Sequence, residues 1–219
     1  MLYKYADLKR KGYAHKDIER LVDQRIMFKI QKGVYSNRRN VTELSTFLIK
    51  HPNVIFTLES AFYYYGMTDK RPDKYVVVTK KPAWRIVDDQ IKQYFMDAAL
   101  YEIGLTKMQI NNTWIPIYDR ERMLIELVRY RKKLDPDYYN EIKSYYHHHP
   151  EKLDMEKLKG YLNQFVSKRK ITEVILTEVL WNKILFEIWK QQNFLTQYHE
   201  SMNYMKFGNG LSIIFYLIF

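Results

Sequence analysis

The apolar positions near the start of the chain predict two short helices. Residues 3–11 predict a first helix, and Gly12 is a natural residue to end it. Residues 16–24 predict a second helix. Its apolar residues have the i, i+3, i+4 spacing of one buried stripe: Ile18, Leu21 and Val22. On this helix Lys16 and Arg20 fall opposite the stripe, with Gln24 nearby, so the pattern predicts a polar outer face.

The residues after the second helix predict a hairpin. A strand over residues 26–30 is followed by a turn over residues 31–33 and a return strand over residues 34–36. Gly33 can supply the positive φ that such a turn needs.

The remainder of the chain predicts an α+β block followed by a helical part. Strands are expected at residues 53–56, 74–79, 85–87, 93–95, 101–105 and 113–117, and helices at residues 41–51 and 58–65. Further helices are expected at residues 121–132, 137–149, 155–165 and 171–190. The apolar run at residues 207–219 is too short to span a membrane, since a spanning helix needs about 20 such residues.

Composition narrows the classes to which the chain can belong. It has 219 residues, of which 20 are Tyr, 11 Phe and 4 Trp, and a chain so rich in aromatic residues is not wholly disordered. It has no cysteine, which excludes disulfides, cysteine nucleophiles and thiolate metal sites. The first residues lack the apolar core of a signal peptide, so we expect a cytoplasmic protein.

The positive charge is concentrated at the start of the chain. The formal net charge is +11, and residues 1–40 hold 11 Lys and Arg against 4 Asp and Glu. Residues 41–130 are nearly balanced, with 12 basic and 11 acidic residues. A local basic excess of this kind is typical of a module that binds a polyanion.

Helix, turn, helix and basic hairpin, in that order, predict a winged helix-turn-helix that binds DNA. One helix must present polar side chains to the major groove, and the hairpin tip must meet phosphates. The predicted contacts on the second helix are Lys16, Arg20 and Gln24, and those predicted for the hairpin tip are Lys29, Lys32, Arg38 and Arg39.

The same residues leave two other functions open. One is a structural module that binds RNA, with exposed Tyr side chains stacking on bases. The other is a nucleotide-handling enzyme. However, the chain lacks the glycine-rich phosphate loops, the G-x-S-x-G nucleophile motif and the H-E-x-x-H zinc motif. The carboxylate pairs Asp88-Asp89 and Asp135/Asp137 could in principle hold Mg²⁺. They are instead expected in turns or at a helix start, so we expect no catalytic residues and no cofactor.

Metal binding is not expected at the three consecutive histidines. His147, His148 and His149 lie on a predicted helix, where successive side chains point about 100° apart. Three such side chains cannot chelate one ion together.

Three runs of residues resemble the AbiEi family, the antitoxins of type IV abortive-infection toxin–antitoxin pairs. The first lies in residues 13–36 and includes Lys32-Gly33-Val34-Tyr35. The second is Leu58-Glu59-Ser60-Ala61-Phe62 with Gly66-Met67-Thr68-Asp69, where Tyr65 stands in place of the family's usual His. The third is Asp119-Arg120-Glu121-Arg122-Met123-Leu124-Ile125-Glu126. The resemblance covers about residues 1–180.

The resemblance implies a domain organisation and a function. It implies a winged helix-turn-helix over residues 1–40 and an α+β antitoxin domain over residues 41–180 with a helical C-terminal part. Residues 181–219 form a tail without a counterpart in the family. Members of the family repress their own promoter by binding its inverted repeats, and they counteract a nucleotidyltransferase-like toxin without needing to touch it. We expect a monomer in solution that pairs on DNA.

Overall fold

A computed structural model describes residues 1–180 of the chain. These residues form a mixed α+β structure, as the sequence predicts. The backbone separates into two compact units, Met1–Asp119 and a second that begins at Arg120. The predicted helix over residues 171–190 extends past residue 180, and the predicted tail over residues 181–219 lies wholly outside the described residues.

The first forty residues contain a small antiparallel sheet and two helices. The sheet has the strand order β1-β3-β2. Its strands are β1 (Leu2–Lys4), β2 (Phe28–Gln31) and β3 (Val34–Ser36), and the helices between β1 and β2 are α1 (Tyr5–Arg10) and α2 (His15–Asp23). The sequence prediction missed β1 and assigned part of it to the first helix. Both predicted helices and the predicted hairpin are present, with bounds shifted by one or two residues.

The helix α1 ends as the sequence predicts. Gly12 has a φ of +91°, and its N–H donates to the carbonyl of Lys9. The next N–H, that of Tyr13, donates to the carbonyl of Leu8. This pair of bonds is the Schellman motif, in which the residue after the cap takes a left-handed conformation that glycine adopts without a Cβ clash.

The rest of the first unit is built on a five-stranded sheet with the order β6-β5-β4-β8-β7. Its strands are β4 (Ile55–Phe56), β5 (Tyr75–Lys80), β6 (Ile91–Met96), β7 (Leu105–Ile110) and β8 (Thr113–Tyr118). Its helices are α3 (Glu43–Lys50), α4 (Leu58–Tyr64) and α5 (Ala98–Tyr101). The strands β4 and β8 are parallel, as are β5 and β6, and the other two pairs are antiparallel. Val76, Val77 and Val78 on β5 are buried, as their run of valines predicts.

Two of the predicted strands are wrong. Residues 85–87 have no regular structure: the Gln93 side chain accepts the N–H of Ile86 at 2.7 Å and donates to Thr79 at 2.7 Å. The N–H of Ile86, which a strand would have paired with a neighbouring backbone, is therefore bound by a side chain. Residues 101–105 are mostly the end of α5 and a turn, because Gly104 has a φ of +77° and β7 begins only at Leu105.

The second unit is helical over its described residues. It contains α6 (Arg120–Tyr130), α7 (Pro136–His148), α8 (Met155–Leu162) and α9 (Lys168–Val174), with a 3-10 turn at Pro150–Lys152 and a π-helical turn at Ile175–Val179. Asp135 caps α7 by accepting the N–H groups of Asp137 and Tyr138, which confirms the predicted helix entry. No helix in residues 1–180 has both the length and the apolar composition needed to cross a bilayer.

Candidate nucleic-acid interface

The buried face of α2 holds this helix against α1 and the small sheet. Ile18 is fully buried in a cluster with Leu8, Met27 and Tyr35. Leu21 and Val22 pack against the same cluster and are partly buried. The stripe predicted from the sequence is therefore the inner face of α2.

The N-terminus of α2 is closed by a side chain from within the helix. The Asp17 carboxylate accepts the backbone N–H of Ala14, the residue before the helix, at 2.9 Å. This is the reciprocal half of a capping box, and it satisfies an N–H group that the helix itself leaves free.

The outer face of α2 carries the predicted contacts. Lys16 and Arg20 are exposed and lie one turn apart on the helix. Gln24 is also exposed, but it caps the C-terminus of α2 and lies just outside the helix. The sequence prediction places it within the helix. Arg20 is not free in the structure, because its guanidinium lies 3.3 Å from the second oxygen of Asp17.

The charges of α2 do not by themselves favour a polyanion. The helix holds Lys16 and Arg20 against three acidic residues, so its formal charge is −1. His15 lies 3.2 Å from Glu19. The positive excess of residues 1–40 therefore lies on the segments around α2, and the predicted contacts to phosphate would fall mostly there.

The structure separates the four cations predicted for the hairpin. Lys32 and Gly33 form the turn between β2 and β3, and Gly33 has a φ of +76°. Only Lys32 therefore lies at the tip. Lys29 lies within β2, paired with Tyr35 across the sheet.

Arg38 and Arg39 follow β3 and lie at the base of the hairpin, away from its tip. The strand between Lys32 and these arginines has three residues, which span roughly 10 Å. The N–H of Arg38 donates to the Ser36 hydroxyl at 2.9 Å, which fixes the backbone as it leaves the sheet. The four cations thus form two separate groups along the hairpin.

Few of the cations in residues 1–40 are neutralised by a neighbour. Arg10 pairs with Asp7, and Arg20 pairs with Asp17. Within residues 1–180 the remaining exposed cations of this part make no ion pair: Lys9, Lys11, Lys16, Arg25, Lys29, Lys32, Arg38 and Arg39. Exposed unpaired cations are available to bind phosphate groups.

Arg25 is not among the DNA contacts that the sequence predicts. This residue is exposed and directly follows the cap of α2, with a φ of +59°. A positive φ at arginine is uncommon, and the sequence alone gives no sign of it. The signal that could have been used is the basic residue between the end of the predicted helix and the predicted strand.

The third run that resembles AbiEi antitoxins forms buried ion pairs in the second unit. The Arg122 guanidinium is fully buried and donates to Glu126 at 2.8 Å, and Arg129 lies 2.6 Å from the same oxygen. Both guanidinium groups lie about 5 Å from the ring of Phe165. Glu121 accepts the N–H of Asp154, the residue that caps the N-terminus of α8. Each of these side chains has a partner that explains it structurally.

An open cleft in the first unit is lined by tyrosines. It has a volume of about 490 Å³, and its lining includes Glu43, Tyr63, Tyr64, Arg71 and Tyr75. Burial raises the pKa of Tyr75, and the negative charge of the Glu43 carboxylate adds to this effect. Tyr64 and Tyr75 also pack on the buried Phe56, so their rings lie against the core of this unit.

The residues considered for metal binding have other partners. His147 contacts the carbonyl of Val179, His148 that of Ser144, and His149 the carboxylate of Glu151. Asp88 accepts the N–H of Gln90 in a turn. Across residues 1–180 no three ligating side chains come together as a metal site would require.

Neither a protein-family model nor a curated protein sequence matches the chain.

Proposed function

We propose that this protein is a DNA-binding antitoxin that represses its own operon, as the resemblance to AbiEi antitoxins implies. Its N-terminal forty residues bind inverted repeats in the promoter as a winged helix-turn-helix. The protein counteracts a nucleotidyltransferase-like toxin in the cytoplasm without forming a stable complex with it. It acts as a binder and not as an enzyme.

The observation that carries this proposal is the combination of topology and charge in residues 1–40. The elements of residues 1–40 follow the order strand, helix, helix, strand, strand, and β3 lies in the middle of the sheet. A winged helix-turn-helix has this order after its first helix. The polar face of α2 is exposed beside the hairpin, and most of the surrounding cations have no acidic partner within the described chain. A surface of this kind fits the groove and the flanking phosphates of a duplex.

The proposal is tested by an electrophoretic shift with DNA from the gene's own upstream region. An unrelated duplex of equal length, at the same salt concentration, is the control. We expect the upstream DNA to bind at least tenfold more tightly, since specific sites commonly exceed nonspecific ones by more than this. Equal affinities for both duplexes would refute an operator-binding function.

The oligomeric part of the proposal is tested separately. Two copies on an inverted repeat do not require a dimer in free solution, so we expect a monomer alone and a pair of copies on operator DNA. Sedimentation with and without the operator distinguishes these states.

One observation favours RNA binding as a second candidate. The Trp84 side chain is 95% exposed and is followed by Arg85, and its backbone is held by the Gln93 side chain. Exposed aromatic rings next to arginine are suited to stacking on unpaired bases. Two results together would favour this function over the first. One is that single-stranded RNA displaces duplex DNA from the wild-type protein but not from Trp84→Ala. The other is that the wild-type protein binds the upstream duplex no more tightly than an unrelated duplex.

A further inference from the structure

Three helices of the first unit end in the same hydrogen-bonded motif. In α1, α2 and α4 the residue after the cap donates to the carbonyl three residues earlier, and the next N–H donates five residues back. The residues in the left-handed position of these motifs are Gly12 (φ +91°), Arg25 (φ +59°) and Gly66 (φ +65°). Arginine thus occupies a position that the other two helices give to glycine.

Arginine is a costly residue at this position. A Cβ at positive φ approaches the carbonyl oxygen, which is why glycine and, less often, asparagine are favoured there. The strain is not offset by an ion pair, since Arg25 has no acidic partner anywhere in the described chain. Backbone strain that persists without a structural reason is typical of residues kept for binding.

The hairpin register places Arg25 and two other arginines toward the same end of the hairpin. Phe28 is the register partner of Ser36, so the chain enters β2 at the same end of the hairpin at which it leaves β3. Arg25 lies three residues before Phe28, and Arg38 and Arg39 lie two and three residues after Ser36. All three arginines are exposed. This group lies at the end of the hairpin opposite Lys32.

The charge of α2 leaves most phosphate contacts to the segments around it. Because α2 has a formal charge of −1 and Arg20 pairs with Asp17, only Lys16 on this helix is an unpaired cation within the described chain. Arg25 is the first cation after α2 that has no partner among residues 1–180. Its guanidinium can donate two parallel hydrogen bonds to one phosphate.

We propose that Arg25, together with Arg38 and Arg39, binds a DNA phosphate at the C-terminal end of α2, and that this contact is why arginine is kept at a strained position. The inference rests on the proposed DNA-binding function and adds a residue to it. It assigns two anchoring points to the interface, one at the hairpin base and one at Lys32.

Three substitutions at this position separate strain from charge. Arg25→Ala removes the guanidinium and keeps a Cβ at positive φ, Arg25→Lys keeps a cation, and Arg25→Gly removes both the cation and the strain. Lys107→Ala is the control for removing one cation elsewhere, since Lys107 is an exposed lysine on β7 of the same unit that makes no ion pair within the described chain. Thermal unfolding and binding to the upstream duplex at several salt concentrations are measured for each variant.

We expect the Gly variant to unfold at a higher temperature than the Ala variant, by about 2 °C, because only Gly relieves the strain. In both the Gly and the Ala variant we expect the slope of log K against log salt to be less steep by about 0.9, the contribution of one phosphate contact. The Lys variant and Lys107→Ala should keep the slope of the wild type.

Two results would overturn the inference while leaving the proposed function intact. One is an unchanged salt slope in Arg25→Gly. The other is a lower unfolding temperature in Arg25→Gly than in the wild type, which would show that Arg25 is kept to stabilise the helix C-terminus. A wild-type protein that binds upstream and unrelated DNA equally would instead refute the proposed function itself.

Discussion

Asp17 and Arg20 form an ion pair on the exposed face of α2, with 3.3 Å between the guanidinium and the carboxylate. The other oxygen of Asp17 accepts the N–H of Ala14. One carboxylate therefore closes the start of the helix and holds the side chain that we expect to contact a base. This arrangement restricts the orientation of Arg20 before DNA binds.

Arg20→Ala should lower discrimination between operator and unrelated DNA by about 1–3 kcal/mol, the contribution of one good contact to a base edge. Stability should change little, because an exposed pair at this spacing contributes about 0.2–0.5 kcal/mol. Titrations of both duplexes together with urea unfolding measure the two effects. Unchanged affinities for both duplexes would show that α2 does not read the sequence.

Lys29→Ala combined with Lys32→Ala should weaken binding to all duplexes about equally. Both side chains are exposed and unpaired within the described chain, and neither lies on α2, so we expect them to contact phosphates. The slope of log K against log salt should fall by about 1.8, or 0.9 for each lost contact. Lys107→Ala, an exposed lysine on β7, is the control for removing one charge elsewhere. A loss confined to the operator, with an unchanged slope, would contradict this assignment.

The helices of this protein could be predicted from the sequence because their signals are local. Ile18 is buried as its spacing predicts, and Asp135 caps α7 as its position before Pro136 predicts. The strand β1 could not be predicted, because its three residues are ordered by hydrogen bonds to β3, more than thirty residues away. A short segment that depends on a distant partner carries no periodicity of its own.

The candidate interface could be predicted only in part. The exposure of Lys16 and Arg20 follows from the helical period, but the pairing of Arg20 with Asp17 depends on side-chain rotamers that the sequence does not specify. The separation of Lys32 from Arg38 and Arg39 follows from the hairpin register and was missed by treating all four hairpin cations as one tip. The domain boundary at residue 40 stays a prediction, as does the resemblance to the AbiEi family.

The free energy of unfolding should fall as the pH is lowered below about 6.5, and His51 should contribute to this fall. Burial lowers the pKa of His51 below 6.5, although the nearby Asp88 carboxylate, at 3.7 Å, opposes the effect. Below pH 6.5 the unfolded chain takes up a proton at His51 more readily than the folded chain does. The unfolded state is therefore stabilised, until the pH reaches the lowered pKa of the folded state.

His51→Gln should reduce this pH dependence. Urea unfolding between about pH 7.5 and pH 5.5 measures it, with His15→Gln at an exposed histidine as the control. A slope against pH that is the same in His51→Gln as in the wild type would show that other groups account for the acid sensitivity.

Glu126→Gln should lower the free energy of unfolding by about 3 kcal/mol or more. The change removes the carboxylate that faces the fully buried Arg122, and a buried charge that loses its partner is strongly destabilising. Combining Glu126→Gln with Arg122→Met should recover part of this loss, since the second change removes the buried cation as well. Urea unfolding of the single and double variants measures the coupling between the two sites. Glu156→Gln, an exposed residue on α8, is the control.

This experiment also bears on the third run that resembles the antitoxin family. If both residues serve the core of the second unit, the double variant should unfold at a higher urea concentration than Glu126→Gln, while the affinity for DNA, measured where both variants are folded, should be the same in both. A double variant whose loss of stability equals the sum of the losses in Glu126→Gln and Arg122→Met would show instead that the two side chains act independently. The short distance between them would then not explain why an arginine and a glutamate are both buried in this helix.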